Sequence, residues 1–295
     1  MCLERHRLFQ TFSPVFEIKI SQMKLIYITA DPYEASIADQ SYVDYVMVDL
    51  EVNGKSERQK GRDTLISNHT IHDVKLIRKV LTNSKLLVRI NPIWENTEEE
   101  VELAIRFGAD SLMLPMFRAK EEVQNFLSLV NGRAECQLLL ETSTALENID
   151  AILGLEGIST VHVGLNDLHQ ELNLEFMFEL FLGDLLDRLG KKVIARGIGY
   201  GIGGVGRPLV SQLVSPELII KEHIRLGSSQ VILSRDFRKV FLESESEHLL
   251  LMQEACEQIR SYAQDSEDVH DERVMLREKL LSSISSVSKS LRASN

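Results

Sequence analysis

The sequence predicts an α/β fold, a (β/α)₈ TIM barrel with an N-terminal extension and a C-terminal helical tail. Three observations carry that expectation. From about residue 24 onward, eight short apolar runs alternate with longer segments of helical period. The runs are nearly continuous in Val, Ile and Leu, as strands buried on both faces must be. Polar residues recur just after the runs, at the end of a barrel where its loops gather around one mouth.

The strand candidates in order are residues 25–29, 45–48, 86–90, 111–114, 137–140, 160–163, 193–198 and 230–233. Between them the amphipathic stretches 33–40, 71–81, 97–107, 119–130, 144–153, 173–189 and 216–226 read as crossover helices. Thr97 three residues before Glu100 reads as a capping box, and Gly108 and Gly227 stand where left-handed helix stops are expected. Eight short, doubly buried strands favour a closed barrel, with an open doubly wound sheet as the alternative. Residues 1–23 form an extension, 24–264 the barrel, and 265–295 a helical or disordered tail. Within the last part, the helical stretch 248–262 leads toward a serine-rich end, 282–295, expected to fray.

Of the 295 residues, 44% are hydrophobic and 26% charged, with a formal net charge of −11. Such a chain can bury a sizeable core, and its acidic balance argues against a nucleic-acid partner. No apolar run approaches the roughly 20 residues that cross a bilayer, so no membrane partner is expected. The first sixteen residues lack a clean apolar stretch with a cleavage site. Cys2, Cys136 and Cys256 are scattered without zinc spacing, which points to a reducing, cytoplasmic setting.

At the strand ends stand Asp31, Asp49, Glu51, Arg89, Asn91, Glu141, Asn166 and Asp167. Glu141 and Asp167 follow adjacent predicted strands and should face one pocket. Two such carboxylates invite a hard dication with open positions for substrate and water; alternatively, each caps the helix that follows. Arg89 should point into the mouth, gripping a carboxylate or stabilising an enolate, or pairing with Asp49 or Glu51. The stretch GIGYGIGGVGR at 197–207 reads as an anion-binding loop ending in Arg207, or as a mobile lid. Of the histidines, His162 sits inside a strand and reads as structural, whereas His69 and His169 are placed to exchange protons. Trp94 shields its loop or walls the pocket.

Five stretches, VMVDLE at 46–51, LLVRINP at 86–92, GADSLMLPM at 108–116, LLLET at 138–142 and VHVGLNDLH at 161–169, resemble the HpcH/HpaI aldolase and citrate lyase β-subunit family. They occur in that family's order and at its strand ends, within a likeness running from about residue 25 to 237. Its later part is similar to a subgroup found in surface-polysaccharide gene sets. The resemblance implies that Glu141 and Asp167 bind Mg²⁺ or Mn²⁺ and that Arg89 holds a pyruvate-like 2-oxo acid. Asp49, Glu51 and His69 would assist catalysis, and Pro115, Gly164, Leu165, Asn166 and Arg207 would contact substrate. The implied activity is a metal-dependent carbon–carbon lyase working through an enolate, in a homo-oligomer. Where the keto-acid aldolases carry a histidine for proton transfer, this chain has Val52, and the family's usual glutamine is Leu139. The acid or base is left open among a water on the ion, His69 and Lys55. Two alternatives stand beside the lyase: a barrel that binds metal and keto acid without turnover, and a phosphoenolpyruvate-type transferase.

Overall fold

Strand-forming residues with no polar interruption build the first stave, β1 (Lys24–Ile28), and its neighbours β2 (Tyr45–Asp49) and β3 (Lys85–Arg89). They are followed by β4 (Ser111–Leu114), β5 (Glu135–Leu140), β6 (Ile158–Val163), β7 (Gly199–Ile202) and β8 (Gln230–Ile232). All pair in parallel with their chain neighbours, and β8 returns to β1, closing an eight-stranded barrel. This computed structural model describes residues 23–53, 69–208, 210–264 and 270–294. The first twenty-two residues of the expected extension, Lys55 and the start of the expected tail lie outside the described residues.

The crossovers are α1 (Pro32–Gln40), α2 (Ile71–Arg78), α3 (Thr97–Arg106), α4 (Lys120–Val130), the short pair α5 (Ser143–Glu147) and α6 (Ile149–Ile152), and α7 (Leu165–Glu171). A 3₁₀ turn (Met177–Phe181), α8 (Leu185–Ile194) and α9 (Pro216–Arg225) complete the set up to β8. Asp31 starts α1, its carboxylate accepting from the amides of Tyr33 and Glu34. Gly108 and Gly227 take the expected left-handed stops, at φ +99° and +74°. The capping box expected from Thr97 and Glu100 does not form. Asn96 is the N-cap, and Glu100 reaches back instead to the Asn91 amide and the Trp94 indole, two loop donors that compete successfully for it.

Two further expectations are corrected. Residues 193–198 are not a strand: Val193 and Ile194 finish α8, and β7 begins at Gly199, inside the glycine-rich stretch. Four of the eleven residues of the expected anion loop, 199–202, therefore form a barrel stave. A Cβ at Gly201 would stand 2.4 Å from His162 Nδ1, and one at Gly199 would stand 2.8 Å from Thr160 Oγ1. The stave is bare because side chains of β6 fill the lumen beside it. The serine-rich end is not frayed either. Residues 270–294 form one helix, α11 (His270–Ser294), with Leu280 and Ile284 buried and Arg292 bonded to Glu179. It packs on α9 and the 3₁₀ turn, while α10 (His248–Gln264) lies between α9 and α1 and completes the helical ring.

Inside the barrel, Ile26, Tyr45, Met47, Leu87, Met113 and Leu139 make an apolar plug distinct from the larger core between staves and helices. The plug closes the lumen below the carboxyl ends, so polar groups above it face a shallow, solid-floored mouth.

Candidate functional site

Glu141 follows the last residue of β5. The period-two alternation puts it on the luminal face with Gln137 and Leu139. Two neighbours fix its carboxylate. Met116, reached from β4 through the buried Pro115, has a left-handed backbone at φ +54°, and its amide donates to Glu141 Oε1 at 3.1 Å. On the other side, Gly164 follows β6, where a Cβ would lie 2.6 Å from Glu141 Oε2 and 2.9 Å from Glu141 Cβ. Only glycine leaves room for the acid to lie flat there.

Neither acid acts as a cap. Thr142 caps α5, its hydroxyl accepting from the Ala145 amide at 3.2 Å. Gly164 is the N-cap of α7, and Asp167 sits within that helix's first turn, half-buried. Among the described residues no hydrogen bond or ion pair holds Asp167, yet its charge helps to raise Glu141.

Arg89 closes β3 beside Asp49 at the end of β2, the two being paired in register. Its Nε and Nη2 donate to Asp49 Oδ1 and Oδ2 at 2.8 and 2.7 Å, and Nη1 lies 3.4 Å from Glu51 Oε2. The two-pronged grip is thus made to Asp49, the structural pairing, and Nη1 faces Glu51. Burial works against the guanidinium charge, but Asp49 and Glu51 outweigh it and hold its pKa well above the ordinary value. The Asp49 amide donates to His69 Nδ1 at 3.0 Å, so His69 borders the cluster with that nitrogen engaged.

Asp49, Glu51 and Glu141 are each 2% exposed and their charges act on the Arg89 guanidinium, while the charge of Asp167 acts on Glu141. Burial, followed by the charges of Glu51 and Asp167, drives the Glu141 pKa well above the usual carboxylate range, with Arg89 opposing. A carboxylate in a desolvated pocket, with other carboxylates acting on it, is stabilised by a proton or a cation. Oxygen donors alone suit a hard dication such as Mg²⁺ or Mn²⁺. Among the described residues no group of three or more His, Cys, Asp or Glu is gathered as a ready-made cage. Glu141 and Asp167 would therefore leave most positions of such an ion to water and substrate.

The remaining expected residues divide. Asn166 is exposed on α7 near the mouth, whereas the Leu165 side chain is 2% exposed and belongs to the core. Leu165 can thus offer a ligand only its backbone. Arg207 lies 3.8 Å from Glu243 Oε1, engaged with the segment after β8. His169 Nδ1 pairs with the Leu165 carbonyl at 3.1 Å, and Val52, 47% exposed, donates its amide to Asn91 Oδ1. Met116 is the functional residue that sequence reasoning missed: its part is played by the backbone, whose left-handed turn a methionine does not announce.

Among curated proteins none matches the chain by sequence. Solved structures with the same fold include an HpcH/HpaI aldolase from Desulfitobacterium hafniense DCB-2, at 15% identity and TM-score 0.54, covering 72% of this chain and 86% of that one. An HpcH/HpaI aldolase/citrate lyase family protein from Burkholderia cenocepacia J2315 superposes at 14% identity and TM-score 0.56, over 82% and 95% of the two chains. A variant of the citrate synthase SbnG aligns at 17% identity and TM-score 0.52, over 81% and 95%. The family model for HpcH/HpaI aldolase/citrate lyase matches residues 23–177, a span that includes Arg89, Glu141 and Asp167, and the chain belongs to that family.

Proposed function

We propose that this protein is a Mg²⁺- or Mn²⁺-dependent carbon–carbon lyase acting on a pyruvate-type 2-oxo acid through its enolate. The observation that carries the reading is Glu141 at the luminal end of β5, 2% exposed, its pKa raised by burial first and then by the charges of Glu51 and Asp167. Glu141 and Asp167 would hold the ion. When bound, it supplies Lewis acidity to the carboxylate and carbonyl oxygens of the substrate. Met116 and Gly164 keep the Glu141 carboxylate in one position, so the site is ordered before substrate arrives. Arg89, locked by Asp49, presents its Nη1 edge to the oxygen that gains negative charge as the carbon–carbon bond breaks. Asn166 and the Gly164–Leu165 backbone line the approach to the same mouth. A cytoplasmic homo-oligomer is part of the proposal; the buried, unpaired thiols of Cys136 and Cys256 suit a reducing compartment.

The test is exchange of the pyruvate methyl protons for deuterium in the presence of Mg²⁺ or Mn²⁺. Wild type is expected to exchange and Glu141→Gln to lose exchange; equal exchange by both refutes the assignment. A second reading is favoured by Val52, an aliphatic side chain where keto-acid aldolases place a proton-transfer histidine: the barrel binds ion and acid without turnover. Calorimetric binding of pyruvate with no exchange would select it. A transferase acting on a phosphorylated enol depends on Arg207 and requires Arg207→Ala to weaken phospho-substrate binding.

A further inference from the structure

A second polar assembly lies in the lumen below Glu141. The Ser111 hydroxyl donates to the Glu135 carbonyl at 3.3 Å. A carbonyl only accepts, and that fixes the direction of everything behind it. Gln137 Nε2 donates to Ser111 Oγ at 3.2 Å, and Gln230 Nε2 donates to Gln137 Oε1 at 2.9 Å. The same Gln230 nitrogen lies 3.4 Å from His162 Nδ1. Nδ1 is therefore the acceptor of this chain, and the proton of the neutral ring sits on Nε2. Burial, with His223 and Arg89 adding to it, keeps the ring neutral by pushing its pKa down to about 3.

His162 Nε2 is fully buried and has no hydrogen-bond partner among the described residues. A Cβ at Gly201 would meet Nδ1, whereas one at Gly203 would stand 3.2 Å from Nε2. Gly203 is two residues nearer the carboxyl end of the stave, so Nε2 is the end of the ring that points toward the mouth. Gly203 and Gly204 put no side chain over it. A buried donor without an acceptor is costly, and a site built around oxygen-rich ligands can supply the acceptor.

We infer that the Nε2–H of His162 donates to a carboxylate or carbonyl oxygen of the 2-oxo acid from the floor of the site. This rests on the proposed function, and it adds a binding residue that meets the acid from the β6–β8 side while Arg89 meets it from β3. Because the ring is neutral, it adds direction without adding charge.

The test is calorimetric titration of Mn²⁺ and then pyruvate into wild type, His162→Leu and His162→Gln. His162→Leu is expected to lose pyruvate affinity by about tenfold or more while keeping wild-type Mn²⁺ affinity. His162→Gln, which still offers an N–H, is expected to recover part of that loss. In wild type with ¹⁵N-labelled histidine, the Nε2–H resonance is expected to shift on adding pyruvate, an observation that decides the matter even if the leucine variant does not fold. Unchanged pyruvate affinity in folded His162→Leu, or a resonance indifferent to pyruvate, overturns the inference. Wild type that binds Mn²⁺ but no 2-oxo acid overturns the proposed function itself.

Discussion

Replacing Gly164 with alanine sets a methyl group 2.6 Å from Glu141 Oε2, 2.9 Å from Glu141 Cβ and 3.4 Å from Leu139 Cδ1. Ordinary carbon contacts begin near about 3.5 Å, so the carboxylate must withdraw by close to an ångström. The Cβ clash cannot be relieved by rotating the side chain, and β5 and β6 must also part slightly. Overpacking of this kind costs about 1–3 kcal/mol, and straining the 3.1 Å bond from the Met116 amide adds about 1 kcal/mol. The expected loss of stability is thus about 2–4 kcal/mol, measured by urea denaturation followed by circular dichroism. Since Glu141 is half of the proposed ion site, Mn²⁺ affinity should fall by roughly 10–100-fold in calorimetry. A folded Gly164→Ala protein with wild-type stability and wild-type Mn²⁺ affinity would refute the claim that this glycine makes room for a ligand.

Four other outcomes are expected. Asp49→Asn leaves the buried Arg89 with its main counter-charge removed and should cost about 3–5 kcal/mol in chemical denaturation, with weaker pyruvate binding; a change below 1 kcal/mol counts against the pairing. Burial holds His223 neutral, down to about 3, while the unfolded chain takes up its proton near the ordinary 6.5, so its contribution to stability is complete above that pH and declines below it. Between pH 7 and 5, wild type should therefore lose about 2 kcal/mol more than His223→Leu, and parallel losses would exclude the assignment. Gly201→Ala, driven against His162 Nδ1, should lose about 2–4 kcal/mol, and His162→Ala in the same chain should recover part of it; strict additivity would sink the steric argument. Ending the chain after Gln264 removes the buried Leu280 and Ile284 and should lower stability by about 3–6 kcal/mol in thermal denaturation, whereas an unaltered melting curve would show α11 to be dispensable.

The sequence made seven of the eight staves legible because their buried runs are rich in residues that suit a strand. The seventh escaped because its signal is an absence: Gly199 and Gly201 carry no side chain to form a pattern, and the apolar residues read in its place close α8. The reason for the glycines lies on the neighbouring stave β6, in Thr160 and His162, which proximity along the chain does not reveal. The helical character of the tail was legible, but its serine-rich end misled, since a serine-rich helix with few buried positions has the composition of a loose end. Arg89, Glu141 and Asp167 were visible because a strand end has a readable position and their charge is conspicuous there. The commitments around them were not. The pairing of Arg89 with Asp49, the Met116 amide on Glu141 and the hydrogen-bond chain to His162 depend on which luminal neighbours meet once the sheet has closed.

The two halves of the lumen obey different rules of change. Along β1 to β5 the filling is mostly oily and interchangeable, so one hydrocarbon can drift into another of similar volume with little effect. Along β6 to β8 it is a fitted set in which imidazole and amide groups occupy the space that glycines relinquish. A lineage that enlarges residue 201 must shrink residue 162 within the same stretch of history, and one that loses Gln230 releases the ring it orients. Related chains should therefore vary freely on one side of the bore and in concerted pairs on the other.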